Sequence, residues 1–328
     1  MPQDVQIQTG FESFITIVDE STWGDYPNSP VLWHCPYDTF DVKHQTEVRS
    51  GNQFTGFRQE THSRFVRGMP QGALALPLFG WHPVAGEESL AQYLIEWAFG
   101  NPEAKFRASK SINYYEGVNF DNNRYQGLRV NQGTLAGQDG GPVTINLDLM
   151  GRETIPQVAD EEDGPEVGNA PTVPYDRFKL IECDFTDVTL NLAGVNGVPF
   201  SGFNLVATHG LIPDYLGGKL LRTMPSGPTI QTLTLNPPKT SKVWAETIRK
   251  MDFEEQEVTA SLVLKIPHMG TGAVDTNFTQ VTATFNRLSL QKADTARSKG
   301  VLQQPLEFKV LKPMSNNPAI SWAFADVA

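Results

Sequence analysis

The sequence predicts a mainly β protein: two tandem β-sandwich domains, each with one flanking helix. Three observations support this prediction. A six-residue phrase occurs twice, short apolar stretches alternate with polar residues, and 28 Gly and 23 Pro residues separate those stretches as turn formers. Because a sheet with one buried face shows a period of two, this alternation indicates strands more than helices.

The repeated phrase lies at residues 67–72 and again at residues 222–227, 155 positions later, with four of six residues identical. At the same offset, residues 130–135 match residues 285–290 in their Asn and their final Leu. A constant offset over this length is most simply explained by tandem duplication. A unit of this size is a whole domain rather than a solenoid repeat.

The predicted order of segments follows from this duplication. It comprises an N-terminal arm with the first strand (1–40), a first domain (41–155), an acidic linker (156–174), a second domain (175–313) and a C-terminal tail (314–328).

The arm contains a predicted strand at 14–18 and then a turn-rich segment with Trp23 and Tyr26. Two interpretations stay open for these aromatic residues. They anchor the arm on a neighbouring surface, or they belong to a loop that covers the core of their own domain.

The first domain begins with a predicted hairpin over residues 40–67, with Phe54 and Phe57 near its middle. A helix is predicted at 87–99, because Leu90, Leu94 and Trp97 form an apolar stripe and Gly100 follows. Strands are predicted at 111–115, 125–135 and 143–149.

The linker has five acidic residues, no basic ones and no apolar periodicity, so we expect it on the outer surface or at the boundary between the domains.

In the second domain, a helix is predicted after Pro238, capped by Thr240 or Ser241, with Trp244, Ile248 and Met251 as its buried stripe. Strands are predicted at 178–185, 188–192, 200–208, 230–235, 258–266, 279–290 and 306–310.

Composition argues against several classes of protein. The net charge of −11 disfavours a nucleic-acid-binding surface. Without a secretory signal or a long apolar run, we expect a soluble protein made in the cytoplasm. We expect Cys35 and Cys183 to be buried hydrophobes. We expect no metal or cofactor, since His34, His44 and His62 lack zinc-ligand spacing and the acidic linker lacks a calcium-loop pattern.

No nucleophile elbow, dinucleotide fingerprint or helical metal pair is present in the sequence. Two alternatives to a structural protein remain. A carbohydrate-binding β-sandwich protein would need exposed aromatic residues along one face, and a glycosidase-like enzyme would need two carboxyl groups with separated pKa values.

The order of these features, with ESTWG at residues 20–24 and FTGF at 54–57 followed twice by strand, helix and strands, resembles the tail tube proteins of long-tailed bacteriophages in a tandem-duplicated form. The resemblance covers essentially the whole chain and implies a structural role without catalysis or cofactor. It implies domains whose inner sheets join into a ring-shaped barrel, and rings that stack into a tube in the virion tail after assembly in the host cytoplasm.

The implied partners are other copies of the chain, the tape-measure protein, the tail terminator and distal tail proteins, and DNA that passes without tight binding. In the resembling family, tail tubes built from single-domain subunits have six subunits per ring, and a two-domain chain would fill two of those places, so we expect three chains per ring. Because a wall that attracted phosphates would hold the DNA, we expect a lumen that is neutral to negative. Candidate assembly residues are aromatic residues of the arm, the hairpin and the tail: Trp23, Tyr26, Phe54, Phe57, Trp322 and Phe324.

Overall fold

The computed structural model describes residues 13–28, 30–50, 63–82, 88–100, 109–116, 122–157, 181–216, 221–237, 248, 250–251, 257–268, 278–293, 296–298, 301–303, 305–313 and 318–327. The predicted mainly β fold is confirmed. Sixteen of the described strands join one antiparallel hydrogen-bond network, and two more form a separate hairpin.

The strands are β1 (Ser13–Asp19), β2 (Trp33–Cys35), β3 (Thr39–Phe40), β4 (Lys43–Ser50), β5 (Ser63–Pro77), β6 (Lys110–Glu116), β7 (Asn122–Gln138), β8 (Thr144–Met150), β9 (Glu153–Gln157), β10 (Val188–Leu192), β11 (Gly202–Thr208), β12 (Ile230–Leu235), β13 (Val258–Pro267), β14 (Phe278–Ala293), β15 (Ala296–Ser298), β16 (Val301–Gln303), β17 (Leu306–Val310) and β18 (Ile320–Val327).

The helix α1 (Leu90–Phe99) packs on β7 and β8 with Leu90, Leu94 and Trp97 buried, as the apolar stripe predicts. It begins three residues later than predicted, because the Ser89 side chain accepts a hydrogen bond from the Gln92 amide and caps the first turn.

Only part of the second predicted helix lies within the described residues. Ile248, Lys250 and Met251 are helical there, and Ile248 and Met251 are buried in the main core. The predicted caps and Trp244 lie outside the described residues, as does nearly all of the acidic linker, of which β9 includes the first two positions.

Two predicted segments differ from the structure. The described end of the strand expected at 178–185 makes only isolated bridges, Glu182 to Phe79 and Asp184 to Pro142, and then enters a 3-10 turn. The Asp184 side chain accepts the Thr186 amide at 2.8 Å, which favours the turn over extended backbone.

The second difference lies in the segment expected to be a tail. It contains β18, which pairs with β14 from Phe278↔Val327 to Phe285↔Ile320. The sequence gives little alternation there, but Ile320 and Trp322 are buried on one face and complete the core.

The same order of strand pairing occurs in both halves of the chain. In the first half β1 pairs with β6, β6 with β7, β7 with β8, β8 with β5, and β5 with β3 and β4. In the second half β10 pairs with β13, β13 with β14, β14 with β17, β17 with β12, and β12 with β11. Strands β9 and β18 pair with the long strands β7 and β14, respectively.

Buried side chains of both halves form one contiguous apolar cluster. The helix lies close to the sheet at Gly133, where an added Cβ would lie 2.9 Å from the Cβ of Ala98. Glycine at this position of β7 is therefore required by the close approach of helix to strand.

We expect Gly133→Val to lower the free energy of unfolding by about 1 to 3 kcal/mol, because the added methyl groups push α1 away from the sheet. Urea unfolding of the full chain measures this change. Thr134→Val is the matched control, since its side chain lies on the opposite face of the same strand. Equal stability of the two variants would contradict this packing.

Candidate assembly surface

The two halves of the chain are joined edge to edge by one strand pair, which we call the seam. Strand β11 of the second half pairs antiparallel with β7 of the first half through seven residue pairs, from Gly202↔Gln138 to Thr208↔Gln132. The ladder continues beyond both ends, where the amide of Asp139 donates to Ser201 and the amide of His209 to Asn131. The seam therefore satisfies backbone groups that would otherwise form two open sheet edges.

Side chains fix the register of the seam at its end near α1. The Asn131 side chain donates to Asp148 at 2.8 Å and accepts from the Leu211 amide at 3.1 Å, so it bonds to both halves. The buried His209 places Nε2 2.8 Å from the Ala98 carbonyl oxygen, which only accepts, so Nε2 carries the proton.

At the other end of the seam, small residues make room for an aromatic group. An added Cβ at Gly137 would lie 2.7 Å from the ring of Phe203 on the opposing strand. The Phe203 ring stacks near Phe185 at 6.3 Å. Because Gly137 has no side chain, the ring of Phe203 lies over the backbone of β7 and is buried there.

One row of directly paired residues crosses eight strands through the seam. It runs through one residue each of β3, β5, β8, β7, β11, β12, β17 and β14. These residues are Thr39, Ala75, Asn146, Thr134, Val206, Thr232, Lys309 and Ser289. The first four strands of this row are related to the last four by the same pairing order.

The side chains of this row lie on the face of the sheet opposite the core. Their neighbours one position along the strands, such as Leu135, Leu147 and Leu205, are fully buried, whereas the row itself is exposed or half-buried. Including the residues two positions to either side along these strands, the charged members are Asp41, Asp148, Glu307, Arg287, Lys292 and Lys309. Three charges of each sign make this face polar and close to neutral.

Among the described strands, none covers one edge of β14 at the position that the seam covers on β7. Leu288 pairs with both β13 and β17, so these strands lie on opposite sides of β14. Beyond Leu288, β17 continues on one side, and no strand in the described part of the chain pairs with residues 289–293 on the other. Leu135, which the seam covers, is fully buried, whereas Leu290, its match at the 155-residue offset, is only partly buried.

At the other end of the row, the outer edge likewise has no partner among the described strands. Strands β3 and β4 pair with β5, and no described strand pairs with their other edge. Asp38, Thr39, Asp41, Lys43 and His44 are exposed along this edge. The described chain therefore begins and ends its eight-stranded row with unpaired backbone groups.

The arm aromatics contact their own chain. Trp23 donates its indole N–H to the Gly127 carbonyl at 2.9 Å, and the guanidinium groups of Arg129 and Arg152 lie 5.3 and 5.8 Å from its ring. The Arg124 guanidinium lies 3.6 Å from the ring centre of Tyr26. These contacts are those expected of a loop that covers its own domain.

The remaining candidate residues lie elsewhere. Trp322 is 8% exposed and packs near Phe99 at 5.5 Å and Phe324 at 6.4 Å. Phe54 and Phe57 lie outside the described residues. Sequence reasoning did not identify the seam residues Gly137 and His209, although the Asn131 repeat marked one end of the seam.

Both cysteines are free and buried, as predicted. Burial raises the pKa of the Cys183 thiol to about 12 and raises the pKa of Cys35 as well. Such thiols hold their protons at neutral pH and react slowly. Burial also lowers the pKa of Lys110, an effect that the adjacent Asp19 carboxylate opposes.

One carboxyl pair has separated pKa values. Hydrogen bonds from Thr186 lower the pKa of Asp184, while desolvation and then the charge of Asp184 raise the pKa of Asp187. Asp184 is the cap of its own 3-10 turn, so its shift is explained by a structural role. This pair gives the glycosidase-like alternative no specific support.

These features place the chain among mainly β proteins. Its two halves have the same order of strand pairing and are joined edge to edge. A family model described as phage tail tube protein matches residues 10–310. The chain therefore belongs to the phage tail tube protein family, and it is a structural subunit that assembles into the tube of a virion tail.

Comparison with curated proteins gave no significant match. Among the helices within the described residues, none has the length and apolar character needed to span a membrane.

We expect Trp23→Ala to lower the free energy of unfolding of the unassembled chain by about 2 to 3 kcal/mol, less than for a fully buried Trp. The loss has two sources, the packing of the half-buried ring and its hydrogen bond to Gly127. Chemical denaturation checks this value. Val31→Ala, an exposed apolar truncation in the same segment, should change it by less than about 0.5 kcal/mol. An unchanged stability of Trp23→Ala would favour the intermolecular arm instead.

Proposed function

We propose that three copies of this chain close into a ring with pseudo-sixfold symmetry and that such rings stack into the tail tube. This proposal rests on the eight-strand row, which has the seam at its centre and whose outer edges at Thr39 and Ser289 have no partner strand within the described residues. A tandem duplication accounts for the matching pairing order on either side of the seam.

The free edges predict how neighbouring chains pair. At the seam, Val206 of the second half stands opposite Thr134 of the first. Thr39 occupies the position of Val206 in the matching row, and Ser289 occupies that of Thr134. In the ring, Thr39 of one chain therefore stands opposite Ser289 of the next, in a heterologous interface that closes by rotation.

Ring closure gives the barrel a definite size. Three chains with eight strands each supply 24 strands, and strands lie about 4.8 Å apart. The circumference is then about 115 Å and the diameter about 37 Å between backbones, increasing with strand tilt. A barrel of this width encloses a channel that admits a DNA duplex.

The polar face of the row lines this channel. Its hydroxyl, amide and balanced charged groups present no basic stripe to phosphates, so DNA passes without being held. We further propose that the channel encloses the tape-measure protein during assembly in the host cytoplasm. The tube ends contact the tail terminator and distal tail proteins, and the chain catalyses no reaction.

The segment boundaries at 40, 155 and 174 are part of this proposal, as is a place for the acidic linker on the outer surface or between the two domains. The aromatic residues of the arm, hairpin and tail contribute to contacts between stacked rings. For Trp23, Tyr26, Trp322 and Phe324, such contacts would add to those described within the chain.

A cysteine pair tests both the ring interface and the number of chains. We expect Thr39→Cys/Ser289→Cys to form disulfides between neighbouring chains in assembled tubes, because directly paired strand residues lie within disulfide reach. Non-reducing electrophoresis should show dimers and trimers, with the trimer as the largest product. Covalent hexamers would show six chains per ring, as expected if only one half of each chain lines the channel.

The chain offers matched controls for this experiment. Thr134→Cys/Val206→Cys bridges the seam inside one chain and should remain a monomer on the same gel. The native thiols are buried, so they should not contribute. Absence of intermolecular products from Thr39→Cys/Ser289→Cys, in tubes that assemble normally, would refute the pairing of these edges.

We expect assembled tubes to show little affinity for duplex DNA in gel-shift experiments at low salt. The physical reason is the balanced charge of the polar face. Asn146→Lys/Asn204→Lys, which adds two positive charges per chain to that face, should create binding that weakens steeply with salt. Tight, salt-sensitive binding by the unmodified protein would contradict the neutral channel.

A further inference from the structure

We propose that His82, His268 and Asp326 form a binding site for a divalent transition metal of the zinc class. The ligand atoms of these three residues all lie within 4.8 Å of one another. The inference is independent of the proposed ring, because all three residues belong to one chain and lie outside the seam.

Strand topology brings two of the three residues together. His268 directly follows β13, and Asp326 lies near the end of β18, while β14 runs between these strands. Thr279 of β14 pairs directly with Ile266 on one side and Asp326 on the other. His268 and Asp326 therefore meet over Thr279.

A glycine brings the third residue to the same place. His82 follows β5 in a segment that crosses the end of β13 at Gly80. An added Cβ at Gly80 would lie 2.7 Å from the carbonyl oxygens of Ile266 and Pro267. The absence of a side chain lets this segment approach closely enough for the His82 ring to lie 5.1 Å from the His268 ring.

The distances suit a site that tightens around an ion. Nε2 of His268 lies 3.5 Å from Oδ1 of Asp326, and Nε2 of His82 lies 3.9 Å from Oδ2 of the same carboxylate. Ligands at about 2.0 to 2.1 Å around a tetrahedral ion lie roughly 3.3 to 3.4 Å apart. Small side-chain rotations close this difference, and the half-exposed Asp326 leaves room for a water as fourth ligand.

The buried Thr279 hydroxyl supplies the outer shell. It donates to Oδ1 of Asp326 at 2.8 Å and, with its proton so used, accepts from Nε2 of His268 at 2.8 Å. When a metal binds, His268 changes to the tautomer that carries its proton on Nδ1, which frees the Nε2 lone pair for the ion, while Thr279 continues to orient the carboxylate. Two imidazoles and one carboxylate favour zinc, cobalt or nickel over magnesium or calcium.

An ion at this place would connect the segment after β5, the end of β13 and the last strand of the chain. Since β18 closes the core over Trp322, the expected consequence is a more stable C-terminal strand. No local sequence pattern indicates this site, because its ligands are separated by 186 and 58 positions and become neighbours only through the sheet.

Titration calorimetry of chelator-treated full-length chain with Zn²⁺ tests the site, and Co²⁺ gives a parallel optical signal. We expect one ion bound per chain and a higher melting temperature with Zn²⁺. Asp326→Asn and His82→Gln should abolish binding, and Thr279→Val should weaken it by about 10- to 100-fold.

Two controls make the outcome decisive. His44→Gln removes an exposed histidine outside the cluster and should leave binding unchanged. Asp326→Asn is isosteric at a half-exposed position, so circular dichroism should report an unchanged fold. Absence of binding by the unmodified chain, or equal binding by folded Asp326→Asn, would overturn the proposal and leave only a His–Thr–Asp hydrogen-bond chain.

Discussion

The structure depends on the need of every sheet edge for a hydrogen-bond partner. Unpaired N–H and C=O groups on a long strand attract any other strand, so a protein with long strands must cover, close or use its edges. Here the seam between β7 and β11 satisfies one such pair of edges inside the chain. Within the described residues, the edge of β3 and β4 and the end of β14 have no such partner. Further strands can therefore pair at these two places.

The long strands β7 and β14 make this arrangement possible because each serves two sets of partners. The first part of β7 pairs with β6 and β9, and its last part pairs with β8 and β11. A strand shared in this way places buried side chains from both sets in one core. Gly133 and Gly137 on β7 then admit the helix and Phe203, so helix packing and seam formation are coupled through one strand.

Local sequence patterns predicted most helices and strands, but they did not predict which strands pair when these are far apart in sequence. Alternation located β8, β13 and β14, and the stripe at Leu90, Leu94 and Trp97 located α1, because these signals arise from burial of one face. β18 was missed because its last residues are exposed and carry no alternation. The seam and the His82–His268–Asp326 cluster join residues far apart in sequence, and only the topology brings them together. The repeated Asn131 and Leu135 indicated a shared environment without revealing which strand provides it.

Covalent fusion of two halves changes the energetics of a ring. In a ring of single-domain subunits, every seam forms between separate molecules and loses translational and rotational freedom on association. In the proposed ring of three chains, half of the seams are present before assembly begins. Their register is fixed by the hydrogen bonds of Asn131 to Asp148 and Leu211, independently of subunit concentration. The remaining seams of this proposed ring form between strand edges that are already ordered. Fewer association steps are then needed to close the ring, and each step begins from a chain that already has the geometry of the finished interface.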